Sequence, residues 1–96
     1  MDERNKLVVL YDYYGELLND SQKKYFEDYY FNNLSLGEIA EEEKISRNAV
    51  HKQIKSAQEK LEFYDSKLKL IEKEKEILET IKDDNLKERI TKIIES

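Results

Sequence analysis

The sequence predicts an all-α protein, a helix-turn-helix bundle with a helical C-terminal extension. Its 96 residues include two glycines and no proline, which are too few turn residues for a compact all-β fold. Charged residues make up 41% of the chain, and most are lysine and glutamate, which favour helices. Hydrophobic residues make up 39%, enough for one small core. We expect a helix-turn-helix domain at residues 1–62 and the extension at residues 63–96.

An apolar stripe predicts the first helix, from about Glu3 to Leu18. Its members recur at spacings of three and four residues: Leu7, Leu10, Tyr11, Tyr14, Leu17 and Leu18. Gly15, inside this stripe, suggests a close helix crossing. Asn19 and Gln22 stand in capping-box register for a second helix that ends near Asn32.

Aromatic residues cluster in the first and second predicted helices. Eight of the ten aromatic residues lie between Tyr11 and Phe31, which places the aromatic core here. Three members of the cluster, Tyr25, Tyr29 and Tyr30, could instead stack on exposed bases. Because they share helical spacing with Phe26, core packing is the preferred interpretation.

The third and fourth helices have their own start signals. Ser35 and Glu38 form a second capping box before a short helix from Leu36 to about Glu42. Lys44 and Ile45 make a turn, in which Ile45 and Val50 are expected to fill the angle between the two helices. Ser46 caps the fourth helix. The expected inward positions are Leu36, Ile39 and Ala40 in the third helix and Val50, Ile54, Ala57 and Leu61 in the fourth.

The C-terminal extension has a different composition, with aliphatic residues among lysines and glutamates and no aromatic residue after Tyr64. It predicts one helix to about Ile81, a break near Asp83 and Asp84, either of which could be the cap, and a last helix from Asn85. The aliphatic stripe is too thin to bury itself. It must pack on the first domain, on another protein or on a second copy, and we favour a homodimer.

Charge is distributed unevenly along the chain, whose formal net charge is −5. Residues 1–43 carry four basic and eleven acidic groups, whereas residues 44–60 carry five basic groups and one acidic group. A local excess of cations is the feature that attracts phosphate. The fourth helix therefore lies in the one basic segment of an acidic chain.

A short helix, a turn and a second helix with basic residues on its outer face form a helix-turn-helix, whose second helix enters a DNA major groove. The candidate nucleic-acid-binding residues are Ser46, Arg47, Asn48, His51, Lys52 and Lys55. Arg47 and Asn48 suit guanine and adenine edges, whereas Lys52, Lys55 and the more distant Lys60 suit phosphates. The alternative is a solvated helix face in a lysine-rich chain.

The residues that usually serve in catalysis or metal binding are few in this sequence or poorly placed for it. The chain has no cysteine, which excludes disulfides and thiolate sites, and His51 is its only histidine. The consecutive acids Glu41, Glu42 and Glu43 point in different directions around a helix. We therefore predict no enzyme, no metal site and no cofactor.

Two families share these patterns. The segment LSLGEIAEEEKISRNAV, residues 34–50, resembles the helix-turn-helix of the fourth domain of bacterial sigma factors. Over roughly residues 5–70 the chain is similar to the YlxM family of small bacterial proteins, through LYDYYGELL and ISRNAVHKQIKSAQEKLEFYDSKL. The resemblance implies a regulator with an accessory role in the signal recognition particle pathway. The chain departs from the pattern at Lys44, where glycine is frequent and a left-handed conformation is easier.

These observations together predict a non-enzymatic regulatory protein that binds duplex DNA. RNA could use the same basic residues, and a protein-interaction adaptor of the secretion machinery, binding signal recognition particle components, is the alternative. The apolar patch from Leu7 to Leu10 is too short for a signal peptide, and no stretch approaches membrane-spanning length. We therefore expect a cytoplasmic location without membrane insertion.

Overall fold

The computed structural model describes residues 2–96 and confirms the all-helical prediction, with no β-strand among those residues. The described residues form six α-helices: α1 Glu3–Tyr14, α2 Asp20–Tyr30, α3 Leu36–Glu43, α4 Arg47–Leu68, α5 Leu70–Thr80 and α6 Asp84–Glu95. Helix α4 packs against α1, α2 and α3, so it is the central element of the bundle.

Side-chain caps fix the helix starts, as predicted. Asn19 Oδ1 accepts from the N–H of Gln22 at 2.9 Å, and Gln22 Oε1 accepts from the N–H of Asn19 at 3.1 Å. Ser35 and Glu38 make the same reciprocal pair at the start of α3, with both distances 3.1 Å. Asp83 caps α6, which begins one residue before the predicted start. Each cap satisfies backbone donors that a helix start leaves without partners.

The core is centred on Phe26, which is fully buried. Its ring stacks on Tyr11 with centroids 4.6 Å apart, and the Tyr30 ring packs against it at 4.5 Å. The buried residues include the four inward positions predicted for α4: Leu7, Leu10, Tyr14, Leu18, Tyr25, Phe26, Tyr30, Ile39, Ala40, Val50, Ile54, Ala57 and Leu61. The aromatic core is therefore confirmed, but Tyr29 stays 37% exposed.

The first helix is shorter than the sequence predicted. Helix α1 ends at Tyr14, and a 3₁₀ turn over Gly15–Leu17 follows, so Leu17 is 52% exposed instead of inside. A Cβ at Gly15 would lie 2.9 Å from the Tyr11 ring. Glycine therefore makes room for an aromatic ring one turn earlier, rather than for a helix crossing.

The prediction of one helix across residues 65–81 was wrong, because the chain bends at Lys69. This residue takes the left-handed conformation (φ 52°) between α4 and α5. The hydroxyl of Tyr14 donates to Asp65 Oδ1 at 2.7 Å and accepts from the N–H of Leu70 at 3.0 Å. One side chain of α1 thus binds the chain on both sides of the bend.

A second tyrosine of α1 also contacts α5 near this bend, because the Tyr13 hydroxyl donates to Glu74 of α5. Burial, helped by the Glu74 carboxylate, raises the pKa of Tyr13 to about 12. Burial also raises the pKa of Tyr14. Both tyrosines therefore remain protonated donors at neutral pH, and Ile71 beside them packs against the core.

The remainder of the extension is more open. Helices α5 and α6 contact each other, but no residue of either helix is fully buried. The most exposed aliphatic residues of the two helices are Leu70, Ile77, Leu86 and Ile93. Among residues 2–96, no helix combines the length and apolar character needed to cross a bilayer.

Candidate nucleic-acid interface

The turn between α3 and α4 is closed by backbone hydrogen bonds. Lys44 takes the left-handed conformation (φ 57°), and its N–H donates to the carbonyl of Glu41. The N–H of Ile45 donates to the carbonyl of Ala40 at 3.0 Å, which completes a Schellman motif. Ile45 itself is 37% exposed, so it does not fill the helix angle as predicted. The expected left-handed geometry therefore forms with lysine in place of glycine.

The left-handed Lys44 predicts a stabilising substitution. A left-handed conformation costs a non-glycine residue about 1–2 kcal/mol, more than glycine loses in backbone entropy. We expect Lys44→Gly to raise the free energy of unfolding by about 0.5–1 kcal/mol, measured by urea denaturation. Lys44→Ala keeps the Cβ and is the control. An equal gain in the alanine variant would show that the charge, not the backbone, limits stability.

Ser46 positions the start of α4. Its hydroxyl accepts from the N–H of Ala49 at 3.0 Å, which is the predicted N-cap. The first N–H groups of a helix have no partners within it and carry partial positive charge, so they are suited to phosphate. Ser46 is itself exposed, and this helix start is open to a ligand.

The other five candidate residues share one side of α4. Residues of one helix are offset by about 100° each, which places these five within an arc of about 140°. We call them the basic face: Arg47, Asn48, His51, Lys52 and Lys55, all exposed. The buried stripe of Val50, Ile54, Ala57 and Leu61 falls in a different arc of about 60°. The face therefore points away from the core.

The cations of the basic face are not neutralised by neighbours. Among residues 2–96, no carboxylate forms an ion pair with Arg47, Lys52 or Lys55. Glu59 follows on the same side of α4, one turn after Lys55, and is exposed. The region open to a polyanion is therefore the first three turns of α4.

Lys60 differs from the other basic residues of α4. Its position along the helix places it on the side away from the basic face. Its Nζ donates to Gln22 Oε1 at 3.2 Å, and the Nε2 of the same glutamine donates to Ser56 Oγ at 3.0 Å. Lys60, which we expected to contribute to affinity, therefore lies apart from the other basic residues and joins α4 to α2.

Comparison with known proteins identifies the family. A family model described as "UPF0122: Putative helix-turn-helix protein, YlxM / p13 like" matches residues 1–96. A relative in Malacoplasma penetrans is 44% identical over 89 residues, which cover 90% of this chain and 83% of that protein. This chain belongs to the UPF0122 family.

Two other UPF0122 proteins are similarly close in sequence to this chain. One in Caldanaerobacter subterraneus is 48% identical over 75 residues, covering 78% of this chain. One in Halalkalibacterium halodurans is 43% identical over 86 residues, covering 86% of this chain and 79% of the relative. The alignment spans 64% of the length of the Caldanaerobacter protein. The resemblance to the YlxM family seen in the sequence is thus confirmed.

One residue beside the basic face of this UPF0122 protein, Gln58, was missed by the sequence analysis. Gln58 Nε2 donates to the Tyr30 hydroxyl at 2.5 Å. Gln58 falls on the same side of α4 as His51. That helical spacing was the available signal, but the partner at residue 30 is not visible from the local pattern.

Proposed function

We propose that this UPF0122 protein is a non-enzymatic regulatory protein that binds duplex DNA through α4. The single observation that supports this most is the basic face, whose cations are exposed, share one side and form no ion pair with residues 2–96. A major groove admits an α-helix, and its N-terminal residues meet base edges. Arg47 and Asn48 lie in the first turn, where bases are read, and Lys52 and Lys55 lie further along, where phosphates are contacted.

We further propose that the protein binds DNA as a homodimer. The exposed aliphatic residues of α5 and α6 supply a surface for a second copy, which would cover Ile77 and Ile93. Two-fold symmetry would present two α4 helices to two half-sites. It would also double the local positive charge, which favours binding by a chain with a net charge of −5.

A double substitution tests the DNA-binding proposal. We expect Arg47→Ala with Lys52→Ala to lower the affinity for duplex DNA by about tenfold or more, because each removes a charge-assisted contact. Gel-shift titrations measure the affinity, and circular dichroism checks that helicity is unchanged. The matched control is Lys73→Ala with Lys75→Ala, which removes two exposed charges from α5.

The control variant should bind like the wild type. Equal affinity in all three proteins would contradict the proposal and favour the second candidate function, a protein-interaction adaptor of the secretion machinery. Contact with signal recognition particle components is the finer form of that alternative. Its support is the same exposed aliphatic surface on α5 and α6. RNA binding through the basic face would appear as tighter retention of a structured RNA than of duplex DNA.

A further inference from the structure

A cleft of 270 Å³ borders the basic face where α4 passes the end of α2. It is lined by Tyr29, Tyr30, Leu36, His51, Ile54, Lys55 and Gln58. Sites for whole ligands have volumes of about 300–1,000 Å³. This cleft is slightly smaller, and it is therefore suited to one planar ring with a polar edge.

One wall of the cleft is aromatic. Tyr29 is 37% exposed, and its ring meets that of the buried Tyr30 at 5.0 Å, with an angle of 89° between the planes. The hydrogen bond from Gln58 to the Tyr30 hydroxyl connects this tyrosine pair to α4. The aromatic wall is thus held at the side of the helix that carries the basic face. Base–aromatic stacking is sequence-tolerant, because every base has a π-face.

The edge of the cleft is polar and cationic. His51 and Lys55 belong both to the basic face and to the cleft lining. Because Gln58 uses its Nε2 to reach Tyr30, its Oε1 remains available to accept a hydrogen bond. The chemistry available is therefore an aromatic surface, a hydrogen-bonding edge and a cation for a flanking phosphate.

We propose that this cleft receives one unpaired nucleobase of the nucleic acid that the basic face binds. Tyr29 stacks on the base, His51 and Gln58 contact its edge, and Lys55 binds the adjacent phosphate. This inference rests on the proposed function, since it assigns a preferred ligand to the same surface. Two sources carry such a base: distorted or partly melted DNA, and structured RNA with a bulge.

The test measures affinity by fluorescence anisotropy with full-length protein. The probes are a DNA duplex with one bulged adenine, the same duplex fully paired, and the same bulge without its base. We expect the wild type to bind the bulged duplex about 5- to 150-fold more tightly than the paired one, the range that one stacked base contributes. The abasic bulge should bind like the paired duplex.

Substitutions at Tyr29 test whether the cleft causes the preference for the bulged duplex. Tyr29→Leu should abolish the preference for the bulge while leaving affinity for the paired duplex unchanged, and Tyr29→Phe should keep the preference. The matched control is Phe63→Leu on α4, where Phe63 is 57% exposed and outside the cleft lining. Thermal melting checks that each variant is folded.

The outcomes separate this inference from the proposed function. Equal binding of bulged and paired duplexes by the wild type overturns the cleft proposal alone, and no binding of either overturns both. A preference that survives Tyr29→Leu also overturns the cleft proposal. The same bulged duplex made of RNA identifies the source: tighter binding of the RNA form indicates a structured RNA, and tighter binding of the DNA form indicates distorted DNA.

Discussion

Raising the salt concentration from about 50 to about 200 mM is expected to lower the affinity for duplex DNA about 150-fold. Each phosphate neutralised contributes about −0.9 to the slope of log affinity against log salt. A dimer that contacts phosphates through Lys52 and Lys55 of each chain neutralises four phosphates, which gives a slope of about −3.6. The measurement is a titration of a labelled duplex of about 30 base pairs, long enough for two half-sites.

A monomer bound to the duplex is expected to show a clearly weaker salt dependence than a dimer. Two contacts correspond to a slope of about −1.8, and the same change in salt then lowers affinity only about 12-fold. Lys52→Ala should reduce the magnitude of the slope by about 2 in a dimer and about 1 in a monomer. Lys73→Ala is the control and should leave the slope unchanged. A slope near zero would contradict the role of the basic face altogether.

Replacing Phe26 by alanine is expected to lower the free energy of unfolding by about 3–5 kcal/mol. This side chain is fully buried, and its ring contacts Tyr11 and Tyr30 at 4.6 and 4.5 Å. The substitution removes apolar burial, leaves a cavity and ends both aromatic contacts. Since small domains are stable by about 5–15 kcal/mol, a large part of the stability margin is lost.

Urea denaturation followed by circular dichroism measures this change. Phe63→Ala is the matched control, because Phe63 is 57% exposed and its loss should change stability by less than about 0.5 kcal/mol. Similar destabilisation by both substitutions would contradict the placement of the core around Phe26. DNA binding by Phe26→Ala should fall in parallel with its folded fraction, because Phe26 lies outside the basic face.

Local signals account for the features that the sequence predicts well. Residues within one or two helical turns form the two capping boxes, the Ser46 cap and the inward stripe of α4. Their spacing can therefore be recognised in the sequence. The composition of the basic face follows from the same periodicity. Its exposure could be expected because the apolar residues of α4 occupy a separate arc.

Contacts between distant residues account for the features that could not be predicted. The bend at Lys69 depends on a tyrosine more than fifty positions earlier, and no glycine or proline marks it. The exposure of Ile45 follows from the backbone path of the turn, whereas its apolar side chain suggested burial. The cleft depends on Tyr29 and Tyr30 meeting α4 some twenty residues later, which periodicity alone does not show.

The hydrogen bonds of the Tyr14 hydroxyl affect the distance between the two α4 helices of a dimer bound to DNA. Because it binds Asp65 and Leu70 on either side of the bend, the direction of α5 and α6 is set by α1. If those two helices join the chains, the separation of the paired α4 helices is determined by an interaction outside both the joining surface and the basic face. A change at the first helix would then alter which operator spacing the pair accepts, without touching any base-reading side chain.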